Sequence, residues 1–430
     1  MSLKLHPDCK DRLKQELAEH LKCVDVKNKC FLDRASTAGF MLASNVLPKH
    51  GPITESLEAF IGEWPLYDFL YGYLSKELHE EQAYDPSVPV SALTEIEKYS
   101  EVGVTADKLV ELFDTLPWHY TFSLKLPSFL ASILADDVNS YQLSDTLRLV
   151  RPDEEFIRKH PLRSGIEGRD KWLSGNSLLS MYSAEEWDHG AVYLQITTDG
   201  FVGKYIVTET NEHALSLLKA FLGLSIALRL TKVEHSSHPA SPKERFYVHR
   251  YNDGEFCIDD TQEVSEEVSR TIGDLVFHDL DGELINEQEQ KVWMGLCLSR
   301  LRKVFSIARQ SDRIVRAGQW FFDSYTGRNE LLSFLQAMVA LEILLGDKAT
   351  SDVIGLNELL RNRCAYLIGK DYTQREEILL DFKEIYEIRS KIVHRGKRKL
   401  KVRESVLFDK LRWLCRRVIQ EEVDLLNESA

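Results

Sequence analysis

No stretch of this 430-residue chain is apolar for long enough to cross a bilayer. The longest apolar run near its middle, Ala220 to Leu228, holds about nine residues and includes a glycine and a serine, against about 20 for a spanning helix. The N-terminus, Met1-Ser2-Leu3-Lys4-Leu5-His6-Pro7-Asp8, has charges and a proline where a secretory signal has an apolar core, so a cytoplasmic location is expected, with no membrane partner. Cysteine is sparse. Cys9, Cys23, Cys30, Cys257, Cys297, Cys364 and Cys415 form an odd, scattered set, which argues for reduced packing residues and against a disulfide framework. Cys9, Cys23 and Cys30 also lack a fourth ligand at zinc-finger spacing. Positive charge is in deficit, 54 Lys and Arg against 68 Asp and Glu for a net charge of −14, which excludes a protein that coats nucleic acid with its whole surface. Internal repeats and low-complexity tracts are missing. So are a glycine-rich phosphate loop and a Gly-x-Ser-x-Gly elbow, which removes the sequence support for nucleotide hydrolysis and for serine hydrolase chemistry.

What is present is an ordinary globular composition, 43% apolar and 28% charged residues, on a chain long enough for two or three domains. Periodicity and turn clusters divide it into three regions of an α+β protein. Residues 1–117 read as a mainly helical N-terminal region, broken at Pro48 to Pro52 and at Asp85 to Pro89. Residues 118–285 read as a mixed α/β middle domain. His119 to Leu126, Gly190 to Thr197 and Glu244 to His249 show the aromatic and β-branched alternation of strands, and a helix over about His213 to Leu230 interrupts them. Residues 286–430 read as an all-α bundle with loops at Gly327, Gly346 and Gly369.

The bundle carries the chemistry. On a helix, Leu379, Phe382, Tyr386, Arg389 and Val393 follow one another at three- and four-residue steps, which sets an arginine in an apolar stripe. A cation there needs a carboxylate, a phosphate or a subunit partner. His394 follows five residues later, about 140° round an ideal helix and about 7.5 Å along it. The two side chains therefore meet on one ligand only through the reach of Arg389, an early helix end, or a second copy of the helix. Gly396 supplies a natural helix end. Upstream, Glu342 has Met338, Val339 and Leu345 around it, and Arg363 lies among Leu359, Leu360 and Leu367. Glu342 is thus expected to neutralise either Arg363 or Arg389.

Arg389-x4-His394, with Ala340-Leu341-Glu342, Arg363-Cys364-Ala365-Tyr366-Leu367 and Ile385 to His394 as its context, resembles the HEPN domain superfamily, within it the ApeA-like group. The likeness covers about residues 291–425. It implies a HEPN-like helical bundle and a metal-independent endoribonuclease with no cofactor, a homodimer in which Arg389 and His394 of both copies form one cleft. Single-stranded RNA would be cleaved through its own 2′-hydroxyl, by a toxin-like or antiphage defence nuclease whose N-terminal part answers to a trigger or regulator. Directly after the arginine many HEPN toxins carry Asn or Asp, and those with a nucleotidyltransferase antitoxin carry a Tyr two residues past the histidine; Ser390 and Gly396 stand there in this chain. From Arg389 to Arg403 eight basic residues follow without an acidic one. Of these Lys391, Arg395, Lys397, Arg398 and Lys399 are the candidate RNA-binding side chains.

Two further readings compete. The same bundle could bind RNA or act as a scaffold without catalysis. Alternatively, Leu275-Val276-Phe277-His278-Asp279-Leu280-Asp281-Gly282 imitates the first motif of haloacid-dehalogenase-type phosphatases, with Asp279 as nucleophile and Asp281 as acid, provided a doubly wound sheet follows. His235, His238, His249 and Cys257 make a poor zinc set, since no close pair closes it.

Overall fold

A computed structural model describes residues 3–135, 138–162, 186–234, 243–280, 282–284, 286–347 and 355–428. The chain is an α+β protein. Its N-terminal region contains α1 (Pro7–Leu21), β1 (Asp25–Lys27), β2 (Phe31–Leu32), α2 (Ala38–Ala43), α3 (Pro52–Phe60), α4 (Pro65–Glu81), β3 (Val90–Ala92) and α5 (Val102–Asp114). Proline opens α1, α3 and α4, where its missing N–H costs nothing. Leu13, Leu17 and Leu21 of α1 recur every fourth residue, and with α1 packed on α5 they share one core with Leu109, Val110 and Phe113 of α5 and Phe69 and Leu70 of α4. The antiparallel sheet β2-β1-β3 is an addition to the helices expected here. Its strands are too short to show an alternation.

The middle region is built on a six-stranded antiparallel sheet of order β10-β9-β4-β7-β6-β5. Its members are β4 (Trp118–Lys125), β5 (Ser140–Ser144), β6 (Leu147–Val150), β7 (Tyr193–Gly200), β9 (Arg245–Asn252) and β10 (Glu255–Glu263). Three of them, β4, β7 and β9, lie on the expected strand segments. The short helix α6 (Glu154–Lys159) follows β6. Along β4, Tyr120, Phe122 and Leu124 enter the main core, and His119, Thr121 and Ser123 turn to the other face, as the two-residue period of a strand requires.

Over the apolar face lies α7 (Glu209–Ala227). It begins earlier than the periodicity indicated because Thr208 and Asn211 form a capping box. From Ala220 to Ala227 every residue of α7 is buried, which accounts for the apolar run in the sequence. One side of α7 meets the sheet and the other meets α10 (Ala308–Thr326). The helices cross at Gly223 and Gly318, so close that a Cβ on Gly223 would overlap the Gly318 carbonyl oxygen. A second ribbon pairs β8 (Thr231–Val233) with β11 (Leu275–Phe277), and α8 (Glu266–Gly273) leads into it.

From residue 287 onward the regular elements among the described residues are all helices: α9 (Glu287–Ser306), α10, α11 (Glu330–Leu345), α12 (Leu356–Ile368), α13 (Tyr372–Arg395) and α14 (Val402–Glu428). Gly327, Gly346 and Gly369 end α10, α11 and α12, at the loops expected from sequence. Through α7 and α10 one continuous core joins Tyr120 and Phe122 of the sheet to Phe334, Phe382 and Val418 of the helices. No described helix is long and apolar enough to cross a membrane.

Candidate functional site in the C-terminal helices

Helix α13 positions both residues of the Arg389-x4-His394 signature. Asp371 opens it by accepting a hydrogen bond from the Gln374 N–H, and Gly396 closes it in the left-handed conformation, with φ 60° and ψ 40°. Its buried residues are Ile378, Phe382, Ile385 and Ile388. That stripe is rotated from the Leu379-Phe382-Tyr386-Arg389-Val393 line expected from spacing. Leu379 and Tyr386 pack at its edge, and Val393 is 49% exposed. Arg389 therefore flanks the core instead of lying within it.

The partner of Arg389 comes from α11. Its Nη2 lies 3.4 Å from Glu342 Oε1, with both side chains mostly covered. Tyr386, one turn back on α13, places its ring centroid 5.7 Å from the guanidinium. Burial pushes the Glu342 carboxyl above its ordinary range while the Arg389 charge draws it down, and burial prevails. Of the two arginines left open by the sequence, Glu342 meets Arg389. Arg363 instead donates from Nη1 to the Leu345 carbonyl at 2.9 Å and places Nη2 3.5 Å from Asp347 Oδ2. It holds the end of α11, whose last carbonyls lack partners within the helix.

His394 sits exposed in the last turn of α13 with no partner among the described residues. Around it the basic segment divides. Arg395, Arg398 and Lys399 are exposed and unpaired among the described residues. Lys391 has a long contact of 3.9 Å to Glu387. Lys397 is different: its Nζ lies 2.8 Å from Glu404 Oε2, and both side chains are mostly buried. Burial alone would raise the Glu404 carboxyl. The Lys397 side chain and the Lys401 N–H outweigh it and hold the group below its ordinary range. Lys397 thus ties the loop to α14, and Arg403, paired with Glu384 at 2.9 Å, ties α14 to α13.

Among the described residues the phosphatase motif has no supporting scaffold. Every strand pair among the described residues is antiparallel, whereas that chemistry needs carboxylates at the carboxyl edge of a doubly wound parallel sheet. Asp279 follows a two-stranded ribbon and lies 3.6 Å from Lys232 Nζ; Asp281 lies outside the described residues. Of the histidine set, His235 and His238 lie outside them as well, and His249 is buried with Nε2 3.0 Å from the Pro161 carbonyl oxygen.

Sequence reasoning missed a second cluster of polar side chains, on the outer face of the six-stranded sheet. The alternation of His119, Thr121 and Ser123 is its one signal. Compared with protein-family models, curated proteins and solved structures, the chain matches none.

Proposed function

We propose that the C-terminal helices form a HEPN-type endoribonuclease that cleaves single-stranded RNA through the substrate's 2′-hydroxyl, with Arg389 and His394 as its catalytic residues. The observation that carries this reading is the end of α13. An exposed imidazole, an arginine held by one long carboxylate contact, and three cations without a partner among the described residues stand within eleven residues of chain.

The chemistry suits these groups. Attack of the 2′-oxygen on phosphorus requires a base for its proton, an acid for the departing 5′-oxygen, and a cation for the charge gathering on the phosphoryl oxygens. A neutral imidazole serves as the base and an imidazolium as the acid. One chain offers one such histidine at this place, so the reaction calls for a second copy with its own His394. The exposed Val393 beside it, and Val402 and Val406 four residues apart on α14, support an interface there. Arg389 leaves Glu342 for the phosphate, to which its planar fork donates two parallel hydrogen bonds. Arg395, Arg398 and Lys399 draw the backbone in, and no resident metal or cofactor takes part. The biological role that accompanies the resemblance is a toxin-like or antiphage nuclease.

A non-catalytic RNA-binding protein is the second reading, favoured by the engagement of Arg389 with Glu342. Incubating labelled single-stranded RNA with wild type and His394→Ala in EDTA separates the two. Products ending in 2′,3′-cyclic phosphate from wild type alone support the nuclease. Binding without cleavage by either protein supports the second reading.

A further inference from the structure

Among the described residues, the outer face of the six-stranded sheet is only partly covered. Trp187, Phe156 and Tyr193 form a small apolar cluster over one side of it. Beside them a cavity of about 190 Å³ remains, between the end of α6, the β5–β6 turn and strands β4, β7 and β10. Its floor is polar although it is deep, with Thr121 2% exposed. Beneath Arg148 runs a short relay: Arg148 Nε donates to Gln195 Oε1 at 2.6 Å, and Gln195 Nε2 donates to Ser123 Oγ at 3.2 Å. Gln195 and Ser123 are both buried.

That relay fixes one edge of the guanidinium, and the other edge has no partner among the described residues. Neither Nη group of Arg148 has an acceptor, and no carboxylate pairs with it, among the described residues. A partly desolvated cation in that state favours a bound anion, and the arginine fork matches two oxygens of one phosphate. A second cation stands at the same cavity. Lys159, at the end of α6, places Nζ 5.7 Å over the Phe256 ring and has no carboxylate partner among the described residues. His160 turns a neutral ring to the wall, 4.7 Å from Phe256, because burial and the neighbouring His249 push its pKa down to about 3. Two acidic groups are near. Asp145 lies on the rim, and Asp199 is held by His119, whose Nδ1 is 2.6 Å from Asp199 Oδ1.

We infer that this cavity binds a phosphate-bearing small ligand, its phosphate held by Arg148 and Lys159. The volume of about 190 Å³, open to solvent on one side, admits inorganic phosphate or a phosphate monoester. The site is separate from α13 and stands whether or not the chain is a nuclease.

Titration calorimetry on the full chain with 5′-AMP, inorganic phosphate and adenosine tests this. Saturable 5′-AMP binding at one site per chain is expected, competed by inorganic phosphate, with adenosine at least about tenfold weaker. Saturable phosphate with no gain from the nucleoside would assign the site to free phosphate. Arg148→Gln should weaken binding about tenfold, and Lys159→Gln, on an exposed residue whose loss leaves the fold intact, several-fold, with Lys49→Gln as the unaffected control. The inference is overturned if neither phosphate nor 5′-AMP binds saturably, if adenosine equals 5′-AMP, or if both cavity variants bind as wild type does.

Discussion

Arg389 of α13 and Glu342 of α11 face each other at 3.4 Å between Nη2 and Oε1, close enough for an ion contact but without the alignment of a hydrogen bond, since that oxygen has no hydrogen-bond partner among the described residues. The pair is held loosely. Helix α13 is anchored by its apolar stripe, and the guanidinium at its flank is restrained mainly by charge.

This arrangement fixes the sign of a stability test. The Glu342 carboxyl is raised by burial more than Arg389 lowers it, so the folded state holds that proton more tightly than the unfolded chain does. The resulting stabilisation is present below the ordinary carboxylate range and is lost as pH rises through the raised value. Glu342→Gln should therefore match wild type near pH 4. It should equal or exceed wild type by up to about 1 kcal/mol at pH 7. Urea unfolding at the two pH values checks this; a variant clearly less stable at pH 7 would mean that the ion contact outweighs burial.

Arg395, Arg398 and Lys399 have no partner among the described residues, whereas Lys397 is paired with Glu404. Replacing the three together by Gln should reduce the slope of log affinity against log salt for single-stranded RNA by about 2, with the unfolding midpoint unchanged. Lys397→Gln should cost about 1 kcal/mol of stability by leaving Glu404 without its partner, and shift the salt slope little. Fluorescence anisotropy across a salt series, with thermal unfolding of the same variants, measures both.

Much of the fold could be read from residue patterns because its central elements are strongly patterned. Strands β4 and β9 carry aromatic and aliphatic residues in alternation, and α7 opens with a capping box and ends in an apolar run. Strand β10, Glu-Phe-Cys-Ile-Asp-Asp-Thr-Gln-Glu, is too polar to stand out. Its one signal is the Asp253-Gly254 turn, where both residues take positive φ. At the site, helical spacing placed Glu342 and both arginines near apolar faces but could not choose between them. Which arginine meets Glu342 depends on how α11, α12 and α13 rotate against one another. The division of the basic segment was equally hidden, since Glu404 lies beyond it in sequence and reaches Lys397 only because α14 turns back over the loop.

The glycine crossing of α7 and α10 makes a sharper prediction than most core positions. In an exposed helix Gly→Ala gains about 1 kcal/mol. At Gly223 the added methyl meets a backbone carbonyl of Gly318 that no rotamer change can move. Gly223→Ala should therefore lose about 2–3 kcal/mol. Because α7 joins the sheet to the C-terminal helices in one core, far-ultraviolet and near-ultraviolet circular dichroism should report the loss at the same lowered temperature. A midpoint at or above that of wild type would show that the helices can part without cost.

Two buried histidines set the acid response of the middle region. His160 and His249 are 1% and 0% exposed; burial, aided at His160 by the proximity of His249, pushes them down to about 3 and about 4. In the unfolded chain both return to about 6.5. Unfolding therefore takes up protons below that value, and the stability present above pH 6.5 is lost as pH falls towards the folded-state pKa values. His160→Phe keeps the ring that stacks on Phe156 at 4.6 Å and removes the titration. Its unfolding free energy should fall less steeply than that of wild type between pH 6 and pH 4, by up to about 1.4 kcal/mol per pH unit for the one proton removed. Parallel curves for the two proteins would mean that His160 is protonated in the folded state and that the cavity wall carries a charge.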